Sequence, residues 1–194
     1  MTAVLVLAAG YLLGSIPFGW ILSRAAGLGD LRAVGSGNIG ATNVLRTGRK
    51  DIAALTLLLD AGKGAAAVLA AGRFAGPEAA LLAGVAAVLG HCTSVWMRGR
   101  GGKGVATGLG VLLAWAWPVG LLCLAVWLVV AFLSKLSSAG ALAAVGIAPV
   151  LLLVRADWRM ALAGLAVAAI VFVRHEGNIR RLIAGTEPRI GRVR

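Results

Sequence analysis

Gly35-Ser36-Gly37-Asn38-Ile39-Gly40-Ala41-Thr42-Asn43-Val44-Leu45-Arg46 is a polar, glycine-rich stretch set between two apolar runs, each long enough to cross a bilayer. Its glycines let the backbone take positive φ and turn several N–H groups toward one point. Such a convergence is an anion nest. Ser36, Asn38, Thr42 and Asn43 add side-chain donors around Gly37, and Arg46 adds a planar fork suited to phosphate or carboxylate. The stretch reads as a phosphate cradle at a membrane surface. A flexible connector between helices is the plainer alternative, but connectors seldom carry so many convergent donors.

The composition around it points to lipid. Of 194 residues, 60% are hydrophobic and only 13% charged, and the mean hydropathy is +0.93. A soluble domain would carry about a quarter charged residues. The chain therefore reads as one integral membrane domain, residues 1–194, and as an all-α bundle, since a run of about 20 apolar residues is what a spanning helix needs. A formal charge of +12 could suggest nucleic acid. The basic residues, however, gather in short loops between apolar spans, which the positive-inside rule explains without any nucleic-acid partner. Cys92 and Cys123 both fall inside apolar spans, so they build neither a disulfide framework nor a metal set. No cofactor is expected. The first apolar run has no basic region before it and no clean small-residue cleavage site, so it is taken as a spanning helix rather than a signal peptide.

Seven spans are predicted. The first covers 2–23, with Pro17 kinking it and freeing carbonyls near its end. The cradle loop, 24–50, follows, and then spans 52–72 and 79–97. The apolar run 105–133 is too long for one span and divides at Trp115-Ala116-Trp117-Pro118, where proline punctuates and tryptophan favours the interface. Spans 139–154 and 160–173 complete the set, and the tail from Arg174 is basic. Among the 19 Lys and Arg residues, only Arg73, Arg155 and Arg159 fall on one set of turns and Lys63 within a span. All the others lie on the opposite set, which predicts an outside N-terminus and a cytoplasmic C-terminus. Both glycine-rich loops and the tail then share the cytoplasmic face.

Two further segments add polar chemistry to that face. Gly101-Gly102-Lys103-Gly104 sets a lysine on a glycine-rich turn at the start of a helix, where the dipole also favours an anion. It is not a P-loop, because Met97 and Gly104 stand where glycine and a hydroxyl are required. The cradle matches G-x-G-x-x-G literally, yet no strand precedes it and no βαβ unit surrounds it, so a dinucleotide reading fails. In the tail, His175 and Asn178 stand at i and i+3 on one helical stripe. Asp60 and Lys63 lie one turn apart inside a span, as a structural ion pair or in direct contact with a substrate. His91 is either polar packing or site lining.

Together these segments resemble the bacterial acyl-phosphate-dependent glycerol-3-phosphate acyltransferases, the PlsY family. The matching pieces are Gly14-Ser15-Ile16-Pro17-Phe18-Gly19, the Gly35–Arg46 cradle, Asp60-x-x-Lys63-Gly64, Gly90-His91, Gly101-Gly102-Lys103-Gly104-Val105-Ala106-Thr107 and His175-x-x-Asn178-Ile179-x-Arg181-Leu182-x-x-Gly185-x-Glu187. They occur in family order over nearly the whole chain. The resemblance implies acyl transfer from acyl phosphate to the 1-hydroxyl of glycerol 3-phosphate, giving lysophosphatidic acid and phosphate in the bacterial inner membrane. It also implies that Ser36, Arg46, Lys103, His175 and Asn178 contact substrate phosphates, with Gly37, Asn38, Thr42, Asn43, Gly101 and Gly102 shaping the nests. Thr93-Ser94 departs from the family pattern, which has an aromatic–proline pair there.

The residues suit that chemistry. Two phosphorylated substrates need two adjacent anion holders. An acyl phosphate is already activated, so the site can work by positioning and oxyanion stabilisation, without a protein nucleophile or metal. His175 and a substrate phosphate oxygen are the two candidate proton acceptors. The H-x-x-x-x-D dyad of acyl-CoA-dependent acyltransferases is missing, since Trp96 and Arg180 stand where the aspartate would be. A transporter of phosphorylated metabolites is the remaining alternative, although it would place its polar residues near the midplane rather than at one face.

Overall fold

The computed structural model describes residues 2–190, Thr2 by its backbone alone; Arg192 and Arg194 of the basic tail lie outside the described residues. Among the described residues all regular structure is helical. The helices are α1 (Thr2–Ser15), α2 (Phe18–Ala25), α3 (Ala41–Leu45), α4 (Lys50–Ala75), α5 (Pro77–Cys92), α6 (Val105–Trp115), α7 (Trp117–Ser134), α8 (Ser137–Arg155), α9 (Trp158–Arg174) and α10 (Glu176–Ile183). Large apolar side chains such as Leu58, Phe132, Val154 and Val173 face outward, as lipid-facing helices require. The interior is made of small residues, among them Ala67, Ala83, Ala87, Ala144 and Ala148, which let helix backbones approach closely in a bilayer.

The predicted kink falls where Pro17 lacks its N–H. Helix α1 stops at Ser15 and α2 resumes at Phe18, the two making one span from Ala3 to Ala25. Carbonyls at the break accept from side chains elsewhere in the chain: Lys63 Nζ donates to Ile16 O at 2.6 Å, beside the Phe18 N–H at 3.2 Å, and Ser94 Oγ donates to Ser15 O at 2.6 Å. Tyr11 Oη donates to Thr93 O at 2.9 Å. Thr93 and Ser94, where the sequence departs from the pattern it otherwise follows, thus tie α1 to the end of α5. The two helices pack closely along their length: a Cβ built on Gly14 would stand 2.0 Å from Ala87 O.

The division of the long apolar run lies where Pro118 and its tryptophans place it, α6 ending at Trp115 and α7 starting at Trp117. By length and apolarity alone five stretches qualify as spans, and up to six if α9 and α10, bent by 65°, are taken as one. Helix α6, with 11 residues, rises only ~16 Å against a hydrocarbon core of ~30 Å. The physical cause is the loop before it. Gly102 N–H donates to His91 O at 2.9 Å, so this loop turns back alongside the last turn of α5. Helix α6 therefore starts already inside the bundle.

Gly14→Leu should force α1 and α5 apart. We expect a loss of ~1–3 kcal/mol or more, the usual range for overpacking, read as a lower unfolding temperature in detergent. An unchanged midpoint would deny the close approach.

Candidate functional site

The cradle is built on an apolar plug. Leu31, Val44 and Ala53 are buried together, which anchors both ends of the loop against α4. Asn43, 1% exposed, organises the turn above them. Its Nδ2 donates to Leu31 O at 2.8 Å and Val34 O at 3.0 Å, and its Oδ1 accepts from Ser36 N at 3.1 Å and Arg46 Nη1 at 3.3 Å. Both Asn43 protons are spent within the loop, so this residue shapes the cradle rather than donating outward. The backbone N–H of Ser36 is spent in the same way, leaving its hydroxyl. Gly35 and Gly37 take φ of +54° and +67°. A Cβ on Gly35 would stand 2.6 Å from Asn43 Oδ1. Thr42 Oγ1 lies 3.2 Å from Ser137 Oγ, joining the cradle to the start of α8.

The second loop is held from two sides. The His91 carbonyl takes the Gly102 N–H, and Arg174 donates to Gly102 O at 3.2 Å and Gly101 O at 3.3 Å. With both carbonyls occupied, Lys103 reaches across to the tail, donating from Nζ to Asn178 Oδ1 at 2.5 Å. Asn178 in turn donates to Glu187 Oε1 at 2.5 Å, so its amide has only one orientation. Glu187 also accepts from Ser138 Oγ at 2.7 Å and Arg181 Nε at 2.8 Å. Burial pushes the Glu187 carboxyl up, but these three hydrogen bonds and the Arg181 charge outweigh it and hold it below the usual carboxylate range. His175 is buried at the α9–α10 bend. Its Nδ1 lies 2.8 Å from Val171 O; a carbonyl can only accept, so Nδ1 carries the proton and a neutral ring keeps a lone pair on Nε2.

These parts surround one cavity of about 150 Å³, lined by Ser36, Asn38, Thr42, Asn43, Arg46, Lys103, His175 and Asn178. Gly37, Gly101 and Gly102 shape the loops but do not line it. Its other side is apolar, formed by Leu57, Leu109, Leu112, Leu124 and Trp127 among others. Sequence reasoning missed this slot, along with Ser137 and Ser138, which carried no signal, and gave Glu187 no role although the tail pattern ends on it. The electrostatics favour an anion. Burial lowers Lys103 to about 8; Glu187 works against this, and the Arg181, Arg46 and Arg174 charges add to it.

Comparison with known proteins fits this geometry. The family profile described as glycerol-3-phosphate acyltransferase matches residues 4–185. A glycerol-3-phosphate acyltransferase of Mesorhizobium japonicum is 57% identical over 188 residues, covering 97% of this chain and 96% of that protein. One of Cereibacter sphaeroides is 57% identical over 183 residues, covering 94% and 87%. Among solved structures, PlsY (YgiH), an integral membrane glycerol 3-phosphate acyltransferase, superposes in its glycerol 3-phosphate form with a TM-score of 0.93 at 37% identity, covering 98% of this chain and 96% of that one. Its lysophosphatidic acid form gives 0.89 at 34%, with the same coverage.

Because Lys103 is charged below about pH 8 and neutral above it, anion affinity should fall as pH rises through that value. Losing one charged hydrogen bond corresponds to roughly ten- to hundredfold in affinity for inorganic phosphate. Lys103→Arg, whose guanidinium stays charged, should flatten the profile. A wild-type profile flat to pH 9.5, where the neutral amine outnumbers the ammonium ~30-fold, would contradict the assignment.

Proposed function

The chain belongs to the glycerol-3-phosphate acyltransferase family, and we propose that it moves an acyl group from acyl phosphate to the 1-hydroxyl of glycerol 3-phosphate. The products are lysophosphatidic acid and inorganic phosphate. One observation carries this reading: the cradle, the second loop and the tail meet at a single cavity whose opposite side is an apolar slot. Two phosphoryl groups and an acyl chain need those two surroundings side by side. The glycerol 3-phosphate and lysophosphatidic acid forms of PlsY support the same substrate and product for this chain.

In this reading Ser36, Asn38, Thr42 and Arg46 hold one phosphoryl group, and Lys103, steered by Asn178, holds the other. The two cations, with Arg174 and Arg181 nearby, offset the charge of adjacent dianions that would otherwise repel each other. The substrate hydroxyl oxygen attacks the acyl carbonyl carbon, a C–O ester bond forms, and the acyl C–O bond to phosphate breaks. The departing phosphate must gain the proton that the hydroxyl loses, so direct transfer between them balances the step without a covalent enzyme intermediate. His175 Nε2, with its lone pair, is the rival acceptor for that proton, since the hydroxyl has one hydrogen and gives it either to the ring or to the phosphate oxygen. The enzyme's contribution is positioning and electrostatics. The concentration of Arg and Lys on the loops that form the site supports a site facing the cytoplasm in the inner membrane.

Purified protein in detergent, given labelled glycerol 3-phosphate and acyl phosphate, should yield labelled lysophosphatidic acid, and acyl-CoA should not replace the donor. Flux across vesicles without lipid product would make the protein a transporter instead. His175→Gln keeps an acceptor for the hydroxyl but cannot take its proton. It should therefore retain much of the turnover, whereas a fall of 10²–10⁴, the usual range for general base catalysis, would make His175 the base.

A further inference from the structure

The remaining buried polar chemistry converges on Lys63 of α4, whose side chain is 1% exposed. Its Nζ lies 2.6 Å from Ile16 O, 2.7 Å from Asp60 Oδ1 and 2.9 Å from His91 Nδ1. An ammonium has three protons and no lone pair, so these contacts use every donor it has. The third must therefore be a donation to His91 Nδ1, which leaves the imidazole proton on Nε2. Asp60 Oδ1 is 3.6 Å from His91 Nδ1, too far to compete for that nitrogen.

The other edge of the ring is not sealed in the bundle. His91 and Asp60 line the same cavity as Ser36, Lys103 and His175. The ring lies against the second loop, where a Cβ built on Gly102 would stand 2.1 Å from Nε2. Any residue other than glycine there would cover the polar edge. The two histidines of the chain thus face the cavity in opposite senses, His175 with a lone pair and His91 with an N–H.

We infer that His91 Nε2–H donates a hydrogen bond to a phosphoryl oxygen of the substrate held by the Gly101–Lys103 loop, and that Lys63 and Asp60 are positioning residues that fix its tautomer. The inference rests on the reading of the cavity as a site for phosphorylated substrates. A neutral donor suits this place, because it binds an anion without adding another cation beside Lys103, Arg46 and Arg174. The ion pair also links the site to the helix break, since the same ammonium bonds Ile16 O, the carbonyl just before Pro17.

Side-chain geometry gives the test. Glutamine places its amide nitrogen near the position of histidine Nε2, whereas asparagine reaches only to that of Nδ1. In purified protein, His91→Gln should keep kcat/KM for acyl phosphate within a few-fold, while His91→Asn and His91→Leu lose roughly ten- to hundredfold, the loss of one hydrogen bond to a charged group. Unfolding temperatures measured in parallel should not follow that order. Asparagine matching glutamine, or leucine matching the wild type, would overturn the inference. Independently of turnover, ¹⁵N-histidine NMR should find His91 protonated on Nε2 and His175 on Nδ1, with His175→Gln assigning the signals. An Nδ1–H tautomer at His91 would also overturn it. The double variant Asp60→Asn/Lys63→Met, which leaves no buried charge unpaired, should abolish the tautomer preference; an unchanged spectrum would deny Lys63 the role. A wild type that makes no lipid would sink the reading of the cavity, and this inference with it. An active wild type beside an unimpaired His91→Leu would sink this inference alone.

Discussion

Lys103, Asn178 and Glu187 form a single chain of hydrogen bonds, and the site takes its shape from it. Each member constrains the next. Glu187 can only accept, so Asn178 must turn its amide nitrogen toward it and its oxygen toward Lys103. Ser138 and Arg181 close on the same carboxylate. In this way α6, α8, α10 and the tail are brought to one point, although nothing in their local sequence requires it. Polar groups left unpaired in a bilayer are costly, which is why the chain of bonds is continuous.

The same economy appears at the helix break. The break at Pro17 interrupts the helical ladder, and here Lys63 and Ser94 donate to the carbonyls of Ile16 and Ser15 beside it. Lys63 then needs Asp60 and His91 to complete its donors, and His91 in turn holds the second loop through its carbonyl. Defects that would be local elsewhere become connections between segments. The result is a polar layer that runs from the first helix to the site without a gap.

Charge arrangement follows from that layer. Arg46, Arg174 and Arg181 surround Lys103 while a single carboxylate, Glu187, opposes them. Burial depresses the lysine and the unbalanced positive charge adds to it; that charge is also what makes a dianion the favourable occupant. The apolar residues that also line the cavity, Leu57, Leu109, Leu112, Leu124 and Trp127 among them, suit an amphiphilic occupant.

Much of this was legible in the chain itself. Apolar runs, Pro17 and the Trp115–Pro118 punctuation determined where helices begin and end, because the backbone in lipid must satisfy itself within each segment. Glycine-rich composition marked both loops, since only glycine tolerates the required turns. The apolar slot, the inward use of the Asn43 protons, the bonds of Lys63 to Ile16 and His91 and the partners of Glu187 were decided by tertiary structure alone. Each depends on which distant group supplies the missing donor or acceptor, and sequence spacing along one helix carries no record of its neighbour on another.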